Sequence, residues 1–128
     1  MTTLKNSPAT TFSMILAHVI AQRCKVDGLT MNAFYERTGI SQASWSRLAR
    51  GQTRFDVEDL RIIERHIHMP ITQILSTAEE VEMKAKREGI KIIEPYTTKN
   101  KSDLADVGLM IVAGAVLGFM ALQVLRSK

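Results

Sequence analysis

The chain has 128 residues, enough for one domain of ordinary size plus an appendage. Seventeen basic and thirteen acidic side chains leave a formal charge of +4, too mild for polybasic, non-specific nucleic-acid binding. A single cysteine excludes an internal disulfide framework and a Cys-rich zinc site, and seven glycines with three prolines argue against a low-complexity chain.

Lys5 and the apolar stretch 12–21 have the outline of a secretory signal. However, Phe12, Ile15, Leu16, Val19 and Ile20 recur at helical spacing, a stripe that the apolar region of a signal does not need. The spacing predicts an amphipathic helix, capped by Thr10 or Thr11 and ending near Asp27-Gly28. Thr30 then caps a helix to about Arg37, with Ala33 and Phe34 inward. In Thr38-Gly39-Ile40, the glycine tolerates the positive φ that a sharp helix–helix turn demands. Ser41 caps the next helix, with Trp45 and Leu48 inward, and Gly51 ends it. Asp56 caps a fourth helix, whose buried edge is expected to be Val57, Leu60, Ile63 and Ile67; Asp59 suits the dipole of its first turn. Pro70 opens a fifth, with Ile71, Ile74, Leu75, Ala78 and Val81 along its apolar face. Residues 1–89 contain no alternating strand and no internal repeat. Residues 77–89 read as a charged, solvated helical extension stopped by Gly89. Residues 90–103 read as a linker, in which Ile90–Ile93 form either a short strand or a docked apolar strip.

Residues 29–51 read LTMNAFYERTGISQASWSRLARG. Leu29-Thr30 opens one short helix, Gly39-Ile40-Ser41 makes the turn, and Trp45-Ser46-Arg47-Leu48 with Arg50-Gly51 closes the second. This stretch resembles the helix-turn-helix of the lambda-repressor/Cro-like (XRE) family of DNA-binding proteins. With its flanking helices the resemblance covers roughly residues 11–76. It implies an all-α, five-helix lambda-repressor-like domain that binds double-stranded operator DNA as a homodimer, with repression the commoner mode. Met31 stands where the family often has a phosphate-touching Gln, and Tyr35 where it usually has a small residue.

Elementary chemistry agrees with the resemblance. A helix fits the major groove, and the residues of its first turns meet base edges. Gln42, Ala43, Ser46 and Arg47 point away from the Trp45/Leu48 side and are the candidate base contacts. Gln pairs bidentately with adenine and Arg with guanine, each good pair discriminating by about 1–3 kcal/mol. From Arg37 to Phe55 there are four arginines and no acid. Arg37, Ser41, Ser44, Arg50, Gln52, Thr53 and Arg54 are the candidate phosphate contacts, which position the protein without reading sequence. His66 and His68 are two apart and do not share a helix face, and His18 is isolated. Cys24 reads as a packing residue. No enzyme, metal or cofactor is expected.

Residues 107–125 carry no charge, and ten of these nineteen are Val, Ile, Leu or Phe. As a helix they extend about 28 Å, close to a hydrocarbon core of about 30 Å. No face is polar, so a single transmembrane helix is expected over residues 104–126. Arg87, Lys91, Lys99 and Lys101 precede it against Arg126 and Lys128 after it, which favours a cytoplasmic N-terminal domain. Gly114 and Gly118 form a GxxxG pattern suited to helix dimerisation in lipid. The expectation is a bacterial or phage regulator, single-pass in the inner membrane. Two alternatives stay open: a membrane adaptor whose helix-turn-helix domain binds a protein partner, and a soluble DNA-binding oligomer assembled through its tail.

Overall fold

In the computed structural model, which describes residues 8–95, the protein is mostly helical. Its elements are β1 (Ala9–Thr10), α1 (Phe12–Val26), α2 (Met31–Thr38), α3 (Gln42–Ala49), α4 (Val57–His66), α5 (Ile71–Arg87) and β2 (Lys91–Ile92). The expected membrane helix over 104–126, its Gly114 and Gly118, and linker residues 96–103 lie outside the described residues. Among the described residues, no helix is long and apolar enough to cross a membrane.

Four helices start where a short polar side chain accepts an otherwise unpaired N–H. Thr11 accepts from Met14 at 3.0 Å, Thr30 from Ala33 at 3.1 Å, Ser41 from Ser44 at 3.0 Å and Asp56 from Asp59 at 2.7 Å. Each such cap contributes about 1 kcal/mol. The fifth helix starts differently. Pro70 occupies its N-cap position without a side-chain acceptor, and Glu64, on the preceding helix, accepts the Ile71 N–H at 2.8 Å.

α1 is the centre of the fold and packs against α2, α3 and α5. It is buried on more than the single predicted stripe: Ser13, Met14 and Ala17 are covered as well as Ile15, Leu16, Val19 and Ile20. Phe34, Ile63, Ile74 and Val81 close the core from the other helices. Val57, expected on the buried edge of α4, is 61% exposed, because it sits in the first turn ahead of the Leu60–Ile63–Ile67 side.

The expected charged extension is solvated on one side and buried on the other. Residues 77–87 continue α5 without a break, and Thr77, Ala78, Val81 and Ala85 are buried. Ala78 and Val81 lie on the expected apolar face, whereas Thr77 and Ala85 are only weakly apolar and stand among charged residues.

Residues 90–95 belong to the domain rather than to a linker. Gly89 has φ 83°, a conformation that reverses the chain as the helix ends. Ile90 N–H then donates to Ala85 C=O at 2.9 Å, and the Ile90 side chain is buried. β2 pairs with β1 in parallel, Ala9 opposite Lys91 and Thr10 opposite Ile92. Lys91 N–H donates to Pro8 C=O at 3.0 Å, and Ile93 N–H to Thr10 C=O at 2.8 Å. The strip 90–93 is thus both strand and docked segment. β1 contradicts the expectation of no strand before residue 89; a two-residue strand has no room for an alternating pattern.

The burial of α5 beyond residue 76 has a measurable consequence. Val81→Ala is expected to destabilise the protein by about 2 kcal/mol in urea unfolding followed by Trp45 fluorescence. A solvated extension would instead show a change within about 0.5 kcal/mol.

Candidate nucleic-acid interface

α2 and α3 are joined by Gly39, Ile40 and Ser41. Gly39 has φ 78° and ends α2, its N–H donating to Tyr35 C=O at 2.9 Å. Thr38 fixes the corner on both sides. Its hydroxyl donates to Phe34 C=O at 2.8 Å and accepts the Ile40 N–H at 3.2 Å. Trp45 then sets how α3 rests on the domain. Its ring meets Phe34 edge-on at 5.0 Å and Phe55 edge-on at 5.7 Å. Trp45 and Leu48 are the buried side chains of α3.

At about 100° per residue, Gln42, Ala43, Ser46 and Arg47 fall within an arc of about 140° opposite those two anchors. Gln42, Ala43 and Arg47 are exposed, and Ser46 is half-buried. Arg50, the C-cap residue of α3, is exposed. Arg37, in the last turn of α2, is exposed too. Arg47 is not loose: one guanidinium N–H donates to Ser44 Oγ at 3.2 Å, and Ser44 Oγ accepts from Ser41 Oγ at 3.0 Å. Both serines are therefore committed to local bonds, Ser41 also as the cap. A phosphate contact from Ser41 would compete with its donation to Ser44, whereas the Ser44 hydroxyl only accepts here and keeps its own proton to donate. Tyr35 is half-buried and edge-on to Phe34 at 6.1 Å, and Met31 packs against the core.

The loop after α3 holds the remaining candidates. Gln52 N–H donates to Arg47 C=O at 2.9 Å, and Phe55 N–H donates to Ser13 Oγ at 3.1 Å, pinning the loop to α1. Gln52 and Thr53 are half-buried. Arg54 is exposed but not free, because it forms an ion pair with Glu94. That partner corrects the reading of an acid-free surface. No acid lies within residues 37–55, but β2 and the residues after it bring one from forty positions away. Glu94 and Ser13 both shape this surface, and no local pattern in the sequence marks either of them.

Other reactive groups stand apart. Burial lowers the pKa of the half-buried His18. Among the described residues, no group of three His, Cys, Asp or Glu is placed to hold a metal ion. Cys24 is buried, and burial first, then the charge of Asp27, pushes its thiol up to about 11. Thiolate is the reactive form. Ellman's reagent at pH 8 is therefore expected to leave Cys24 untouched in the folded protein and to react within minutes in denaturant. Rapid labelling of the folded form would contradict this packing. Compared with known proteins, the chain matches no family model, no curated protein and no solved structure.

Proposed function

We propose that this protein is a sequence-specific DNA-binding regulator of the lambda-repressor/Cro-like type. α2 and α3 act as its helix-turn-helix, and α3 enters the major groove. The observation that carries the reading is the division of α3 into two sides. Trp45 and Leu48 hold it from behind, while Gln42, Ala43 and Arg47 stand exposed in front with Ser46 beside them. Gln42 and Arg47 supply bidentate chemistry for adenine and guanine, and Ala43 an apolar contact for a thymine methyl. Arg37 and Arg50, exposed at the ends of the two helices, supply phosphate contacts. The bond from Arg47 to Ser44 holds the guanidinium in place before binding, which lowers the entropy lost on contact. Repression by blocking a promoter needs nothing beyond such binding.

The reading extends to a dimer and to the membrane. Domains of this kind read paired half-sites as dimers. The uncharged segment 107–125 has the length and composition of a membrane span, and Gly114 and Gly118 suit close helix pairing in lipid. Anchoring two copies side by side would raise the effective concentration of the second domain at a paired site.

Two experiments test these claims. Duplexes selected from a random library by the full chain are expected to give a defined motif. Arg47→Ala and Gln42→Ala should each weaken binding to it by about 1–3 kcal/mol and relax preference at one position. Arg50→Ala should weaken all duplexes alike and lower the salt slope by about one. Absence of any salt-dependent duplex binding would favour a protein-binding adaptor. In fractionated cells, the full chain is expected in the carbonate-resistant membrane pellet; a carbonate-soluble chain would remove the anchor.

A further inference from the structure

We propose that the cavity beside the loop following α3 binds a small amphipathic cation, an amine on an apolar aryl or alkyl body. Its occupancy is relayed to Arg54. The binding half stands on the cavity alone; the relay rests on the DNA-binding reading above. The cavity measures about 420 Å³, within the ordinary span of small-molecule sites. Its apolar walls come from five parts of the fold, among them Phe12 and Leu16 on α1, Phe55 after α3, Leu60 on α4, Leu75 on α5 and Ile92 on β2. Of these six side chains, Leu16 and Leu60 are buried and the other four are only partly covered by the protein itself.

Charge selects the ligand class. Arg54, Glu82 and Glu94 line the same cavity. Arg54 and Glu94 neutralise each other in their ion pair. Glu82 is half-buried and has no hydrogen-bond or ion-pair partner among the described residues. The site is therefore an apolar pocket with one uncompensated carboxylate. Apolar walls strengthen the attraction between that carboxylate and an ammonium group, and they repel a second carboxylate. An ammonium that also reaches Glu94 competes with Arg54 for it and frees the guanidinium for phosphate.

Phe55 makes occupancy visible. It lines the cavity and meets Trp45, the only tryptophan, edge-on at 5.7 Å. The test titrates the full chain, in one non-ionic detergent throughout, with 4-phenylbutylamine, 4-phenylbutanol and 4-phenylbutyrate. Affinity is read by calorimetry and by Trp45 emission. The amine is expected to bind about three- to tenfold more tightly than the alcohol, and the carboxylate more weakly than either. Glu82→Gln should bring amine and alcohol to equal affinity while alcohol binding persists, which shows that the pocket of the variant is intact. Equal binding of all three probes, no binding, or an amine preference that survives Glu82→Gln would overturn the site. With a random-sequence duplex, saturating amine should steepen the salt slope by about 0.9, as should Glu94→Gln without amine. An unchanged slope with amine bound overturns the relay. Amine binding by a protein that binds no duplex at any salt upholds the site and removes the DNA reading instead.

Discussion

The wedge of Trp45 between Phe34 and Phe55 is the contact on which the rest of the domain's surface depends. It packs together side chains from three segments: α2, α3 and the loop that follows. Edge-on aromatic pairs add about 0.5–1.5 kcal/mol each beyond their burial. An eight-residue helix is far too short to persist alone in water, so α3 depends on tertiary anchorage, supplied by this wedge together with Leu48 and the packing on α1. The outward direction of Gln42, Ala43 and Arg47 is then a consequence of which side the tryptophan holds. Ser41 at the start of α3 and Gly51 just past its end limit the helix to little more than two turns, so polar residues crowd onto one short exposed side.

Much of this was legible in the sequence because the signals were local. The caps at Thr30, Ser41 and Asp56 lie where the sequence places them, and α1 starts from Thr11, one of its two expected caps. Phe34, Trp45 and Leu48 are buried as their spacing predicts, and the break at Gly39 is a left-handed turn. A helix cap and an anchor pair each span only four residues. The physics that sets these features is complete within the window that shows them.

What escaped the sequence was non-local. β1 and β2 are dipeptides from opposite ends of the described chain, and their pairing exists only because α5 carries the chain back along α1. Ala85, unlike Ala78, reads as a spacer between charges, because an alanine among charged residues marks a buried face only when its partner helix is known. The bond from Phe55 to Ser13 and the pairing of Arg54 with Glu94 each span forty positions or more. The second of these alters the electrostatics of the candidate site. A surface that reads as purely basic along the chain carries a carboxylate in space. The docked segment 90–95 therefore connects whatever follows it to Arg54 in the loop after α3, in a way that a free linker would not.

The central claim is that the side of α3 opposite Trp45 faces DNA. Site-specific photo-crosslinking tests it most directly, with benzoylphenylalanine placed in the full chain either at Ala43 on α3 or at Met83, an exposed position on α5. At low salt with duplex DNA, the account predicts a protein–DNA adduct from position 43 and none from position 83. Equal adducts from both positions, or an adduct from position 43 only to another protein, would contradict it.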